Sequence, residues 1–149
     1  MPTGVRIPLP APRFRVKNMS EILDVLIEPD RTHSSGLFVV DLESLARQVN
    51  FGVAIRQIVS IPANGSSGNH KHPRMESFLC PQRGVEFHWL DKEGTHHSAD
   101  MIDENGKLHL FIAGANTPHA IKNTNEHSIA LFEFADGEQR EVEAVQVIV

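Results

Sequence analysis

The chain has 149 residues, of which 40% are hydrophobic and 22% are charged, and its formal net charge is −5. This length is enough for one domain with a hydrophobic core of its own. The scattered Lys and Arg residues form no basic patch, and no run approaches the roughly 18 apolar residues of a membrane span, so we expect neither nucleic acid nor a membrane as a partner. The single cysteine, Cys80, excludes an intrachain disulfide, and we expect a cytoplasmic protein.

The first 18 residues contain four prolines, which exclude a helix and favour an extended arm. Val5, Ile7 and Leu9 alternate at the spacing of a strand, which would allow this arm to pair with the sheet edge of a second copy. We therefore predict a homodimer whose interface includes the arm.

A short helix is predicted after Ser20, because this residue can cap a segment in which four apolar residues form one stripe before Pro29. These residues are Ile22, Leu23, Leu26 and Ile27. A second helical turn is predicted at 44–48. We assign residues 1–35 to the arm and its short helix, and residues 36–149 to a single barrel domain.

From Gly36 onward the pattern predicts strands. They cover 37–42, 53–61, 75–80, 85–90, 108–112, 119–122, 129–134 and 142–149. Turns are predicted at Gly94 and at Asn105-Gly106. Many short strands at this spacing indicate an all-β fold, either an antiparallel sandwich or a barrel. Within that group, the double-sheet jelly roll is the architecture that commonly houses a metal.

One segment carries residues suited to bind a metal. His70 and His72 are two apart on a strand and therefore point to the same face, and Glu76 begins the next strand after the break at Pro73. His119 lies far downstream, at the start of another strand. Three imidazoles and one carboxylate suit one divalent ion of Fe, Mn, Ni, Co, Cu or Zn, and leave coordination positions open to substrate.

These residues resemble the two motifs of the cupin superfamily. The first motif matches Gly65 and Gly68, the His70-x-His72 pair, Glu76 and Gly84, and the second matches His119 and Asn123. The resemblance covers about residues 53–134. It departs in the seven residues that separate Glu76 from Gly84, where the motif has six, and in Asn116, which replaces the glycine before the second-motif histidine. It implies an RmlC-like jelly-roll barrel that binds the ion through His70, His72, Glu76 and His119.

A narrower resemblance is to the sugar-nucleotide 3,4-ketoisomerase branch of the cupins. It rests on the order of 35–40, then Arg56, then Ser67-Gly68-x-His70-x-His72. That branch has an arginine where this chain has Ser67, and it uses the histidine pair as bases without a metal. The resemblance implies a sugar-related ancestry.

Three further residues are candidates for substrate chemistry. If Glu86 and His88 face the barrel interior, they are predicted to act as general acid or base, whereas they lie on the solvent side if Val85, Phe87 and Trp89 fill the barrel. Arg56 is predicted to bind a substrate carboxylate or phosphate, unless it lies on an outer sheet face.

Glu133 lies within an apolar strand, where it is either an outward charge or a pocket carboxylate, and the sequence leaves both interpretations open.

The chain has no tyrosine, which argues against the tyrosine acid that the resemblance to deoxysugar 3,5-epimerases would imply. The leading hypothesis is a metalloenzyme that acts on a small polyhydroxy or oxo substrate, as a sugar or sugar-nucleotide isomerase or epimerase does. The alternatives are a metal-dependent dioxygenase of a small organic substrate and a non-enzymatic module that binds a small molecule. In each case the partner is a small molecule.

Overall fold

The computed structural model describes residues 22–149, and within this range the chain forms twelve strands and one helix. The strands of the first half are β1 (Ile22–Leu26), β2 (Arg31–Thr32), β3 (Phe38–Val39), β4 (Ile55–Ile61), β5 (Ser66–Lys71) and β6 (Glu76–Leu79). Those of the second half are β7 (Val85–Leu90), β8 (His96–Asp100), β9 (His109–Ala113), β10 (His119–Asn123), β11 (Ile129–Ala135) and β12 (Glu143–Ala144). The helix is α1 (Leu42–Gln48).

Ten of the twelve strands form two five-stranded antiparallel sheets that pack face to face, and β2 pairs with β3 in a separate two-stranded sheet. The order in the first sheet is β1-β9-β6-β11-β4, and the order in the second is β12-β5-β10-β7-β8. Strands that follow each other in sequence mostly alternate between the sheets, which is the connectivity of a jelly roll. The predicted all-β jelly-roll architecture is confirmed.

The space between the sheets is filled at one end by aromatic and branched apolar side chains. Phe87 of the second sheet stacks on Phe111 of the first, with ring centroids 4.8 Å apart, and both are fully buried. Val85 and Ile121 extend this cluster. Because the apolar residues of β7 point inward, the polar residues that alternate with them point to the outside of the barrel.

A second apolar layer covers the outer face of the first sheet. Leu45 and Ala46 of α1 pack with Ile112 and Phe134, which alternate with inward-facing residues of β9 and β11. Asp41 caps the helix by accepting hydrogen bonds from the backbone amides of residues 43 and 44, at 3.0 and 3.2 Å. The helical turn predicted at 44–48 is confirmed and begins earlier, at Leu42.

The helix predicted over 22–27 is wrong, because residues 22–26 form strand β1, which pairs with β9 in the first sheet. Leu23, Val25 and Ile27 face the layer under α1, whereas Ile22 faces the interior between the sheets. The apolar residues of this edge strand therefore match the spacing of a helical stripe, although Asp24 and Leu26 are exposed.

Other sequence predictions differ at the ends of the chain and in a polar strand. Of the strand predicted at 142–149, only Glu143–Ala144 pairs, with β5. Strand β8 was not predicted, because its residues are mostly polar and exposed. The proline-rich arm and Ser20 lie outside the described residues. No helix within 22–149 is long and apolar enough to cross a membrane.

Candidate active site

The histidine cluster is assembled where β5 pairs with β10. The register shifts by one residue between His119 and Ala120, so that Ala120 lies opposite Gly68 whereas His119 lies opposite His70. This bulge leaves Asn69 as the extra residue, with a φ of 57°, and it turns His70 towards His119. Gly68 permits the close approach, since a Cβ there would lie 2.7 Å from the carbonyl oxygen of His119.

The four predicted ligands do come together. His70, His72, Glu76 and His119 each offer one ligand atom, and these atoms lie within 4.8 Å of one another. Glu76 Oε1 is at the centre, 2.9 Å from His72 Nε2 and 3.1 Å from His119 Nε2. His72, Glu76 and His119 are buried, and His70 is partly exposed to the adjoining cavity.

A hydrogen bond sets the tautomer of His119. Its Nδ1 lies 2.8 Å from the backbone oxygen of Thr117, which only accepts, so Nδ1 carries the proton and donates it. The lone pair is therefore on Nε2, the nitrogen that faces Glu76. This is how protein metal sites fix the orientation of a ligating imidazole.

The donor atoms at the centre of the cluster fit a metal ion. Within residues 22–149, both ring nitrogens of His72 and Oε1 of Glu76 are buried and make no hydrogen bond of acceptable geometry, although His72 Nε2 and Glu76 Oε1 lie 2.9 Å apart. Leaving a buried polar atom without a hydrogen-bond partner costs about 1–3 kcal/mol of folding free energy. A divalent cation bound between His72 Nε2 and Glu76 Oε1 would remove that cost for these two atoms. Imidazole nitrogens with one carboxylate are ligands that suit a divalent transition metal.

Arg74 holds the carboxylate of Glu76 in place, a role that the sequence did not predict. Its Nε donates to Glu76 Oε2 at 2.7 Å, and its Nη2 contacts the same oxygen. Nη2 also donates to Glu133 Oε2 at 3.0 Å, and Nη1 donates to the backbone oxygen of Gly137 at 3.1 Å. Because Oε2 is committed to Arg74, only Oε1 of Glu76 is directed at the histidines.

A cavity of about 180 Å³ adjoins the cluster between the two sheets. His70 and His119 of the second sheet line it, as do Glu76, Glu133 and Gln57 of the first sheet. Its remaining walls include Val59, Ser67, Phe78, Ile121 and Gln139. The structure thus resolves the two interpretations of Glu133, which is a pocket carboxylate.

Burial and neighbouring charges shift the pKa values of this site in different directions. Burial, together with the neighbouring His119 and His72, lowers the pKa of His70 to about 4. Burial acts to raise the pKa of Glu76, but the imidazoles of His119 and His72 outweigh it and hold that pKa below its usual range. Burial, and then the charge of Glu76, raise the pKa of Glu133.

Glu86 and His88 lie on the other side of β7. Phe87 is the β7 residue that faces the cluster, with its ring nearly parallel to that of His119 and 6.2 Å away. On the outer face, His88 Nε2 lies 3.0 Å from Glu86 Oε1, and His88 Nδ1 lies 2.8 Å from His96 Nε2. The acid and base roles predicted for Glu86 and His88 do not fit this position, because the strand separates them from the cavity.

Arg56 also lies outside the cavity. It is on the outward face of β4, where its Nε donates to Glu43 Oε1 at 2.7 Å, and both side chains are about half exposed. The predicted role of Arg56 in binding a substrate anion does not fit this placement. The residues of β4 that do line the cavity are Gln57 and Val59.

No protein-family model matches the chain, and no curated protein does either. Solved structures match it in fold. A mutant of the 3,4-ketoisomerase QdtA from Thermoanaerobacterium thermosaccharolyticum, in complex with TDP-4-keto-6-deoxyglucose, superposes with a TM-score of 0.61 at 12% identity, covering 85% of this chain and 86% of that one. The dTDP-4-dehydrorhamnose 3,5-epimerase from Elizabethkingia anophelis gives 0.57 at 12% identity, with coverages of 85% and 75%.

The capsular polysaccharide assembling protein CapF from Staphylococcus aureus gives a TM-score of 0.54 at 14% identity, over 62% of this chain. The chain spans about a quarter of the length of CapF, 27% of it. These likenesses show that the chain has the jelly-roll fold of the RmlC-like cupins.

Proposed function

We propose that the protein is a metal-dependent isomerase or epimerase of a keto sugar carried on a nucleotide. The observation that carries the proposal is the buried cluster of three imidazoles and one carboxylate beside a cavity, within a fold whose solved examples include a 3,4-ketoisomerase and a 3,5-epimerase. The fold by itself is compatible with many chemistries, so the proposal rests on the site.

His70, His72, Glu76 and His119 would hold one divalent transition-metal ion. The donor set fits such an ion, as do the unpartnered atoms of His72 and Glu76. When bound, the ion supplies Lewis-acid polarisation of a carbonyl or hydroxyl oxygen.

The protein's own residues orient this site and control its access to water. Arg74 fixes which oxygen of Glu76 faces the histidines, and the Thr117 carbonyl fixes the tautomer of His119. Phe78 and Ile121 exclude water from part of the cavity wall. Such fixed polar groups at a partly dry site need little rearrangement when substrate binds.

The test is to incubate the metal-loaded protein with TDP-4-keto-6-deoxyglucose in D₂O and to follow the sugar by proton NMR. Isomerisation or epimerisation next to a keto group removes a proton from carbon and returns one from solvent, so we expect deuterium to enter the carbon beside the keto group. The matched control is the His72→Ala protein, in which exchange should be lost. Absence of exchange and of product with the metal-loaded wild type would contradict the proposal.

The same donor set also suits a dioxygenase, because histidine and carboxylate ligands hold redox-active iron in that class of enzyme. Oxygen uptake with catechol-like or diketone substrates, by protein purified with iron or copper, would favour this second candidate. Binding of a small molecule without uptake or exchange would instead favour a binding module.

We also propose that the protein is a cytoplasmic homodimer. Strand β1 supports the dimer, because it is an edge strand of the first sheet in the described residues and leaves one row of backbone groups without a neighbouring strand. The buried, unpaired Cys80 is compatible with a reducing compartment.

A further inference from the structure

Glu133 is a buried carboxylate on the cavity wall that faces the histidine cluster. It is in the middle of β11, between Gln57 of β4 and Phe78 of β6, and its side chain is 8% exposed. An acidic side chain is seldom buried to this degree unless it is paired or has a role in binding.

The two carboxylate oxygens of Glu133 have different surroundings. Arg74 and Gln57 both donate to Oε2. Within residues 22–149, Oε1 receives no hydrogen bond from the protein, although the side chain lines the cavity. One oxygen is therefore held in place, and the other is an acceptor available to whatever occupies the cavity.

In the metal-free protein, the charges of the side chains around the cavity disfavour an anion beside Glu133. In the described part of the wall, Arg74 supplies the guanidinium charge, and it is shared between Glu76 and Glu133. A phosphate or carboxylate placed here would lose its hydration and meet a carboxylate that can only accept hydrogen bonds. A hydroxyl group, in contrast, would donate to Oε1 in a charge-assisted hydrogen bond.

We propose that Glu133 is a specificity residue that accepts a hydrogen bond from a hydroxyl group on an uncharged ring of the substrate. The ring occupies the cavity, and any phosphate of the substrate stays outside it. This inference rests on the proposed function, because it identifies the part of a nucleotide-linked sugar that reaches the cluster. The cavity is smaller than the roughly 300–1,000 Å³ of a drug-sized pocket, which suits a single ring.

Substitution of Glu133 by glutamine tests this proposal directly, because the neighbouring side chains determine the orientation of the new amide. Arg74 and Gln57 are both donors, so the amide oxygen must face them and the NH₂ group must face the cavity. Glu133→Gln thus replaces the acceptor in the cavity with a donor while the size of the side chain is kept.

The probes are 6-deoxy-D-glucose, which is uncharged, and acetate, which is an anion of small size. In the metal-free wild-type protein, in which no ion can itself bind acetate, we expect the sugar to shift the side-chain amide NMR signal of Gln57, which hydrogen-bonds Glu133, and acetate to leave it unchanged. In Glu133→Gln, we expect sugar affinity to fall about tenfold, the difference between a charged and a neutral hydrogen bond, and acetate binding to become measurable. Asp100→Asn, an exposed carboxylate of β8, is the control that should alter neither affinity.

A sugar-to-acetate preference that is the same in wild type and Glu133→Gln would overturn the inference. If Glu133→Gln does not fold, the wild-type titration still tests the inference. A Gln57 signal that shifts with acetate but not with the sugar would overturn it. Neither readout needs turnover. Failure of the proposed function appears separately, as absence of deuterium exchange in the nucleotide-linked keto sugar.

Discussion

The guanidinium of Arg74 lies 2.7 Å, through Nε, from the oxygen of Glu76 that faces away from the histidines. Both side chains are at least 95% buried, and the same guanidinium also reaches Glu133. One cation therefore offsets two buried carboxylates. Its removal leaves both without a counter-charge, in a region where charge is poorly solvated.

Arg74→Leu is expected to lower the free energy of unfolding by about 3–5 kcal/mol, the usual cost of breaking a buried ion pair from one side. The measurement is urea unfolding of the metal-free protein at neutral pH. Arg56→Leu is the matched control, since its pair with Glu43 is exposed and such a pair contributes about 1 kcal/mol or less. Equal losses in the two variants would contradict the structural role of Arg74.

His72→Ala is expected to remove most of the bound metal, because the site loses both a donor atom and its geometry. Metal analysis after dialysis of protein loaded with the ion gives the result. His127→Ala, which changes an exposed histidine, should retain the metal content of the wild type. Stoichiometric metal in His72→Ala would remove this residue from the ligand set.

Gly68→Ala should disturb both stability and the histidine cluster. At this position φ is 96°, and a Cβ would lie 2.7 Å from the carbonyl oxygen of His119, so β5 and β10 must separate. Gly94→Ala is the control, with a φ of 80° and nothing within 4 Å of its Cβ.

We expect Gly94→Ala to cost about 1 kcal/mol from backbone strain alone, and Gly68→Ala to cost about 1–3 kcal/mol more from overpacking. Metal affinity should fall only in Gly68→Ala. Urea unfolding and metal titration measure the two effects, and a Gly68→Ala protein that behaves like Gly94→Ala would show that the strands can accommodate the methyl group.

The stabilising contribution of His109 should decrease as the pH rises. Its Nδ1 lies 2.6 Å from Asp24 Oδ1 and its Nε2 lies 2.7 Å from Asp103 Oδ2. Burial acts to lower the pKa of His109, but the two carboxylates outweigh burial and raise it. Because the pKa of His109 is raised in the folded state, its contribution to the free energy of unfolding is fully present below the unfolded-state pKa of about 6.5. That contribution is lost as the pH rises through the folded-state pKa.

The difference in unfolding free energy between wild type and His109→Gln should therefore shrink as the pH is raised from about 6 to about 9. Urea unfolding of both proteins at the two pH values measures it. A difference that grows with pH would mean that the imidazole is bound to the aspartates in its neutral form.

The homodimer is tested by light scattering at micromolar concentration. We expect the mass of two chains for residues 1–149 and of one chain after removal of residues 1–18, because the arm is predicted to cover a sheet edge of the second copy. A monomeric full-length chain would contradict the prediction.

The sequence predicted the four clustered residues because their signals are local: a period of two for His70 and His72, and a motif around His119. It could not decide which face of β7 points inward, since Glu86 and His88 alternate with apolar residues and the decision depends on the packing of Phe87 against Phe111. The apolar face was buried, as the hydrophobic effect favours.

Arg74 was not predicted and the position of Glu133 was left open, and the two residues show why the rest of the site could not be predicted. The two residues are 59 apart in sequence, and only the pairing of β6 with β11 brings them together. An arginine that follows a proline, and a glutamate within an apolar strand, carry no pattern that connects them. The same limit applies to β1, whose apolar residues fit the spacing of a helical stripe as well as that of an edge strand.

The bulge at Asn69 links the histidine cluster to a distant segment of the chain. The Asn69 side chain accepts hydrogen bonds from the backbone amides of Val147 and Ile148, and its own carbonyl accepts one from the amide of Val145. A segment more than 70 residues away in sequence thus holds in place the turn that directs His70 towards the cluster. The geometry of the cluster therefore depends in part on the docking of residues 145–148. Proteolytic nicking near 140 should therefore disturb the histidine cluster before the sheets come apart.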